Sequence, residues 1–326
     1  MAESDKKTKK SKEERARDYL LNTHFAHNAV FLFRKATKIA EVYNRATQCA
    51  KCQKFKYECK CMQMDLKQIL DQMLHSILFL GNIHFSSYLP EYIFADVEMF
   101  HQTSEDFPGP FSHYQTHVAL RTPFSYFLEL VTICYGHGEN IVKNKLSEIL
   151  RGCRKSGDLY PLISTVICIC ESGGSRYYGA SLSCLSDQER EIMTAVSCVH
   201  VWHLNVSSAV MSVFPDGTGE PRSIKLPVTV KCSAYAVADM GQLKPPCKRC
   251  NQLYSLPGHT DHENPPGNCA ETEAISNFFK AEKHGNSRQT LFRHNHQEEM
   301  QRMSNCFDKN MKKGMNYNIN RVYPTQ

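Results

Sequence analysis

The chain has 326 residues, of which 41% are hydrophobic, and 39 Lys and Arg against 33 Asp and Glu give it a net charge of +6. This length is sufficient for one large or two ordinary domains. No apolar run reaches the roughly 18 residues that a membrane-spanning helix needs, so the sequence predicts no membrane span.

The N-terminus is Met-Ala-Glu-Ser-Asp followed by lysines, and it lacks the apolar stretch of a secretory signal. We therefore expect the protein in the cytosol or nucleus, where its 15 cysteines are free thiols or metal ligands rather than disulfides. The lysine-rich run within residues 1–12 predicts a disordered basic tail. A nuclear-import or nucleic-acid-binding patch is the alternative.

Residues 13–156 are predicted to form an all-helical region without a catalytic constellation. Apolar periodicity predicts four helices, over 13–46, 65–81, 124–135 and 141–150. Asp65 is the expected N-cap of the second helix, and glycines end the last three. Prolines and glycine predict a loop over residues 100–123. Four histidines of this region are expected at or near the surface, without converging on one site: His75, His101, His113 and His117.

A cysteine-rich stretch joins the first two of these helices, and it contains Cys49, Cys52, Cys59 and Cys61. Four cysteines this close together suit a compact zinc knuckle. The alternative is that Cys49 and Cys52 simply end the preceding helix. The loop between the two cysteine pairs is also short for the usual zinc-finger spacings.

After residue 157 the composition changes, and we expect an α/β domain over 157–326, which makes the whole chain α+β. This domain should carry a small mixed sheet. The predicted elements are a strand at 162–170, a Gly173–Gly174 turn, a strand at 176–183, a capped helix at 186–196, a β-prone stretch at 199–213 and a strand at 228–237. The tail 309–326 is expected to be surface structure or disorder.

The segment Pro246-Cys247-Lys-Arg-Cys250 carries the strongest chemical signal. With Pro246 as the first helical residue, Cys247 and Cys250 share a face near a helix N-terminus, where the thiolate is favoured. Asn268 is the predicted N-cap of a further helix, Ala270 to about Lys283, which places Cys269 at a second helix start. Two facing helix starts predict three thiolates on one Zn²⁺.

A zinc ion with three protein ligands keeps a position for water, and Glu271 is placed to take and pass on that water's proton. One alternative is a capping box, in which Glu271 only bonds back to the Asn268 backbone. Another is a Cys-x-x-Cys redox centre. A third is a structural zinc, for which five residues are candidate fourth ligands: Cys306, His259, His262, His294 and His296.

The motifs Pro246-Cys-Lys-Arg-Cys250 and Cys269-Ala-Glu271 resemble those of the zinc-dependent cytidine and nucleobase deaminases. The resemblance implies that Cys247, Cys250 and Cys269 ligate Zn²⁺ and that Glu271 shuttles protons while hydroxide attacks an amino-bearing ring carbon. The order of the motifs is reversed here, because the Glu motif comes first in the family. The spacer 251–268 also looks like loop rather than strand.

The expected function is therefore hydrolytic deamination of a cytosine- or adenine-type base in a nucleoside or nucleic acid. The helical region is then available for substrate contacts, a dimer surface or a protein partner. The alternative is a non-enzymatic interaction protein, in which zinc clips helices together and the helical region binds a partner. An inactive relative of the deaminases lies between these two.

Overall fold

The computed structural model describes residues 24–46, 60–85, 87–282 and 296–324. The predicted basic tail 1–12 and the start of the first predicted helix lie outside these residues. Before the first strand the described residues form helices, as predicted, apart from two isolated bridges and the connecting segments. They are α1 Phe25–Ala46, α2 Lys60–Ile83, α3 Pro90–Ile93, α4 Val97–Asp106, α5 Pro108–His113, α6 Pro123–Tyr135 and α7 Glu139–Leu150.

Helix α2 lies at the centre of the helical layer and packs on α1, α5 and α6. Its predicted apolar stripe, including Leu66, Met73 and Leu78, is buried, as expected for this spacing. The prediction of an N-cap at Asp65 is wrong, because the helix begins at Lys60. No helix in the described part of the chain is long and apolar enough to cross a membrane.

The prediction of a loop over 100–123 is wrong for its first half, which belongs to α4 and α5. The Asp96 side chain accepts a hydrogen bond from Met99 N at 3.0 Å and so caps α4. Pro108 stands at the first position of α5, where proline favours a helix start because no N–H is needed there. The prolines that indicated a loop therefore mark the beginning of a second helix.

The sheet has four strands in the order β2-β1-β3-β4: β1 Val166–Ser172, β2 Ser175–Ala180, β3 Lys231–Ala236 and β4 Asp239–Lys244. All three pairings are antiparallel, so the prediction of a mixed sheet is wrong. The predicted Gly173–Gly174 turn is confirmed, and both glycines have positive φ. Strand β4 was not predicted, because it contains no β-branched residue; its sequence is Asp-Met-Gly-Gln-Leu-Lys.

The two faces of the sheet are covered differently. Tyr178 and Tyr235 point to the helical layer, since the Tyr178 hydroxyl donates to the His137 carbonyl and the Lys143 ammonium lies over the Tyr235 ring. Helix α11 Ala270–Ala281 covers the other face. A Cβ on Gly179 would lie 2.2 Å from the Ala274 backbone nitrogen, so only glycine lets this helix approach so closely.

The stretch 199–213 is helical, which corrects the prediction that it is β-prone. The capped helix α8 Asp187–Val196 runs directly into a π-helical turn, Ser197–Val201, and α9 Leu204–Val213 follows. Most of α9 is buried, including its serines Ser207 and Ser208. Because it packs on α11, the π-helical turn and α12 His296–Asn310, tertiary contacts outweigh the β propensity of its valines.

The C-terminal segment is ordered and partly buried, which corrects the expectation of a surface tail. Asn82 Nδ2 donates to the Tyr317 hydroxyl at 2.6 Å, and Val118 forms a parallel bridge with Val322. Tyr323 is buried beside the helical layer. The segment that follows α12 in the sequence therefore packs on the helical region, and the boundary near residue 157 stays a prediction.

The surface prediction is wrong for His75, whereas His101 is exposed and His113 and His117 are partly exposed. His75 is fully buried, with its ring stacked on Tyr323 at 4.1 Å between centroids. Neither His75 nitrogen has a partner at hydrogen-bonding distance in the described part of the chain. His113 and His117 are half-buried, and their ring centroids lie 4.6 Å apart.

We predict that His75 makes the fold sensitive to acid. Burial is the main cause that lowers the pKa of His75 to about 3; the His113 backbone acts in the opposite direction, and the charges of His117 and His113 add to the lowering. The unfolded chain takes up the proton below about pH 6.5, whereas the folded chain does not, so the free energy of unfolding falls by up to about 1.4 kcal/mol per pH unit down to the folded pKa. His75→Phe keeps a stacked ring and should remove this contribution.

Urea unfolding at several pH values tests this. The stability of His75→Phe relative to the wild type should grow by about 2 kcal/mol between pH 6.5 and 5. His101→Phe at the exposed site should stay within about 0.5 kcal/mol of the wild type. A difference between His75→Phe and the wild type that does not vary with pH would contradict the prediction.

Candidate metal centre

Two helix starts meet at the cysteine cluster. Cys247 is the N-cap of α10 Lys248–Tyr254, and its sulfur accepts from Cys250 N at 3.5 Å. Cys269 is the N-cap of α11. Helix α10 therefore begins two residues later than predicted, whereas α11 begins at Ala270 as predicted, with Cys269 rather than Asn268 as its N-cap. Because the capping residue is Cys269, Glu271 stands at the second helical position and the predicted capping box does not form.

The three sulfurs are close enough to share one ion. Cys247 Sγ and Cys269 Sγ are 3.6 Å apart, and the ligand atoms of Cys247, Cys250 and Cys269 all lie within 4.8 Å of one another. Tetrahedral zinc with Zn–S bonds of about 2.3 Å places its sulfurs about 3.8 Å apart. The cluster therefore fits a thiophilic metal ion, and it is the one such group of three residues among those the structure describes.

The sulfurs share their hydrogen bonds unequally. Interactions among the three sulfurs lower the pKa of Cys247 and raise the pKa values of Cys250 and Cys269. The backbone N–H groups of Cys250 and Asn264 also face the Cys247 sulfur. A bound cation would displace the thiol protons of the group.

The loop 255–268 folds back over the cluster. Thr260 N donates to the Pro246 carbonyl at 3.0 Å, and Lys248 N donates to the His262 carbonyl at 2.9 Å. These contacts place Asn264, whose side-chain amide donates to Cys269 Sγ at 3.3 Å. Such a donor orients a ligand sulfur and spreads its charge. Asn264 was not predictable, since no feature of a proline-rich loop shows which residue turns inward.

Glu271 and the cysteine cluster line the same cavity, which has a volume of about 370 Å³. Its side chain is 5% exposed, and burial raises the pKa of Glu271 to about 7, with the Cys247 sulfur adding to the effect. Cys247, Cys269 and Glu271 all contribute to the cavity wall. The remaining lining is mostly neutral: Thr165, Val166, Ser181, Ala234, Lys244, Pro245, Thr260, His262, Asn264, Asn268 and Ala270.

None of the described candidates for a fourth ligand joins the cluster. Cys306 lies on α12, where its thiol donates to Glu191 at 3.4 Å. His262 is exposed and hydrogen-bonded to Asn264 Oδ1 at 3.1 Å, and His259 is exposed. The side chains of His294 and His296 lie outside the described residues, as do those of the four N-terminal cysteines, Cys49, Cys52, Cys59 and Cys61.

Glu273 anchors the helix that carries Cys269 and Glu271. Its carboxylate accepts from Arg121 Nε at 2.8 Å, from Ser125 Oγ at 3.0 Å and from Ala180 N at 2.8 Å. These donors belong to the helical layer and to β2. Sequence reasoning missed this network, although a second glutamate in the first turn of a helix is a visible signal of an anionic contact there.

Comparison with known proteins finds no match for the chain among family models, curated proteins or solved structures. The likeness to the deaminases is therefore confined to the two short motifs. The function has to be argued from the geometry of the site.

We predict that the cluster binds a metal ion through Cys269. Cys269→Ser should lower the metal content of the full-length chain by about one equivalent per chain, because a hydroxyl replaces a thiolate ligand. Asn264→Ala should keep the ion but weaken its binding about 10- to 100-fold, since it removes a hydrogen bond to a ligand sulfur. Elemental mass spectrometry and chelator competition measure the two effects.

Cys153→Ser is the matched control, because Cys153 is a half-buried thiol on the helical side of the chain, bonded to the Ile149 carbonyl. It should leave the metal content unchanged. Any ion bound by the N-terminal cysteines would be common to all three variants and would cancel in the difference. A folded Cys269→Ser variant with the metal content of the wild type would refute the site.

We predict that Glu273, rather than Glu271, stabilises the fold. Glu273→Gln leaves the buried Arg121 guanidinium without one of its two carboxylates and should cost about 3 kcal/mol. Glu271→Gln should change stability by less than about 1 kcal/mol, because Glu271 forms no ion pair with any described residue. Guanidinium unfolding with a chelator present compares them, and equal losses would contradict the assignment.

Proposed function

We propose that this chain is a metal-dependent hydrolase that deaminates a cytosine- or adenine-type base. The observation that carries the proposal is the open side of the cysteine cluster. Cys247, Cys269 and Glu271 line the same cavity, and no further described side chain completes the ligand set. Structural zinc sites are closed by four protein ligands, whereas catalytic sites have three and a position for water.

The proposed chemistry divides between the ion and Glu271. A zinc ion at the cluster supplies a Lewis acid that lowers the pKa of water to about 7. The Glu271 carboxylate accepts a proton as water adds to the amino-bearing ring carbon. It then donates a proton to the leaving amino nitrogen, so that ammonia departs and a carbonyl remains. One carboxylate in the cavity wall is sufficient for both transfers.

The cavity lining supports a neutral heterocyclic substrate. Its volume of about 370 Å³ lies within the usual range for small-molecule pockets. The cavity wall offers both hydrogen-bond donors and acceptors, which the edge of a nucleobase requires. They are the hydroxyls of Thr165 and Ser181 and the side-chain amides of Asn264 and Asn268. Glu271 is the one carboxylate in the lining, and it is held at the cluster by the first turn of α11.

The pairing of Cys-Ala-Glu with Pro-Cys-x-x-Cys supports deamination among the possible hydrolytic reactions. The two motifs occur in reversed order, yet their helix starts meet at the three sulfurs. A structural metal clip is the second candidate, and it is favoured by the loop 255–268, which is tied to the first turn of α10. In that case the site would bind metal but turn over no substrate.

We predict that Glu271 is required for turnover but not for metal binding. Metal-loaded full-length protein should release ammonia from at least one of cytidine, deoxycytidine, adenosine, or single-stranded RNA or DNA containing cytosine or adenine. Glu271→Gln preserves the shape of the side chain but removes its proton transfer, and it should lower the rate at least about 100-fold. Ammonia release and the mass of the product measure the reaction.

Glu148→Gln is the control, because Glu148 is an exposed carboxylate on α7, paired with Lys145. It should keep the activity of the wild type. Full metal content without turnover of any of these substrates would replace the proposal with the structural clip. Equal rates for Glu271→Gln and the wild type would remove Glu271 from the mechanism.

A further inference from the structure

A second sulfur pair lies on the sheet, apart from the candidate metal centre. Cys170 on β1 is directly opposite Cys232 on β3, and their sulfurs are 3.5 Å apart. Cys168, two residues earlier on β1, is on the same face. Cys168 and Cys170 are fully buried, whereas Cys232 is half-buried and reaches the surface.

The strand register places Cys170 and Cys232 at the kind of position where opposite Cα atoms of an antiparallel pair are closest together. Val237 N donates to the Thr165 carbonyl at 2.9 Å, so these opposed residues form a hydrogen-bonded pair. Hydrogen-bonded and non-hydrogen-bonded pairs alternate along an antiparallel ladder, which makes Cys170–Cys232 a non-hydrogen-bonded pair. Its Cα atoms are then about 4.5 Å apart, within the range of about 4.4–6.8 Å that disulfides span.

We propose that Cys170 and Cys232 form a reversible disulfide by exchange with a small-molecule disulfide of the glutathione type. Side-chain rotation brings the sulfurs together without movement of the strands. The inference does not depend on the proposed deaminase function, because it concerns the sheet thiols alone.

The two thiols have different parts in the exchange. A hydrogen bond of 3.5 Å joins the Cys232 and Cys170 sulfurs. Cys232 is half-buried and Cys170 is fully buried, so the small disulfide reaches Cys232 first. The neighbouring Cys168 and Cys170 thiols lower the pKa of Cys232. The accessible Cys232 thiolate attacks the small disulfide, forms a mixed disulfide and releases one small thiol. Cys170 then loses its proton and attacks the Cys232 sulfur, which releases the second small thiol. Two protein thiols are oxidised, and one small disulfide is reduced to two thiols.

The position of the Cys170–Cys232 pair places the disulfide next to helix α11. The pair lies on the sheet face that α11 covers, and Tyr177, opposite Cys170 on β2, contacts Phe278 of that helix. The Cys232 sulfur also acts on the Glu271 carboxyl through its charge. A disulfide at this pair would lie on the sheet face that α11 covers and would remove the Cys232 charge.

The test uses the full-length protein in glutathione buffers of increasing oxidised fraction. Free thiols are trapped with an alkylating reagent, and peptides are analysed by mass spectrometry. The Cys170–Cys232 linked peptide should accumulate and then disappear on addition of dithiothreitol. The ratio of linked to reduced pair should change about tenfold for each tenfold change in the ratio of oxidised glutathione to the square of reduced glutathione.

Single variants separate the two roles. Cys170→Ser should accumulate glutathione on Cys232, because no second thiol resolves the mixed disulfide, whereas Cys232→Ser should leave Cys170 unmodified. Cys153→Ser should form the link as the wild type does. Wild-type protein that stays folded by circular dichroism and shows no linked peptide in the most oxidising buffer would overturn the proposal, as would separate glutathionylation of both cysteines.

Discussion

The buried carboxylate of Glu273 is the interaction on which the site depends. It receives hydrogen bonds from Arg121 and Ser125 on the helical side and from the Ala180 backbone on β2. A buried charge is tolerated when partners of this kind replace its water, and removal of one partner is costly. The same network therefore fixes the first turn of α11, and with it the positions of Cys269 and Glu271, four and two residues earlier in the chain.

The site shows that convergence of helix starts, rather than motif order, sets the ligand geometry. Cys247 and Cys269 each stand at the N-cap of a helix, so the positive dipole ends of both helices lie near the sulfurs, and the Cys250 N–H donates to Cys247 Sγ. Either helix can come first in the chain, provided that a loop returns to the same point. Here the loop 255–268 does so and also supplies Asn264 as a donor to Cys269. Reversed motifs thus still bring three sulfurs and a glutamate to one cavity.

Local signals in the sequence were sufficient for part of the fold and for the site residues. The apolar stripe of α2, the Gly173–Gly174 turn and the capped helix after Ser186 were all predictable because neighbouring residues determine them. The helical state of 199–213 and the burial of the C-terminal segment were not, because distant contacts decide both. The convergence of Cys247, Cys250 and Cys269 was predictable from spacing at helix starts. The support from Arg121, Glu273 and Asn264 was not, since each acts across many residues of sequence.

Secondary structure also explains why the two sulfur groups suit different chemistry. Cys168 and Cys170 are two residues apart on one strand, so the strand rise places their Cα atoms about 6.6 Å apart. Two sulfurs on one small ion lie closer than this, so both side chains would have to bend toward each other. Opposed strands instead bring Cys170 and Cys232 together as a pair. At the helix starts, Cys247 and Cys250 are one turn apart and Cys269 approaches from a separate helix, so three sulfurs surround one point. A strand ladder therefore favours a dithiol, and facing helix starts favour a metal site. Helix α11 links the two groups, because Cys269 caps its start and its Phe278 packs on Tyr177, opposite Cys170.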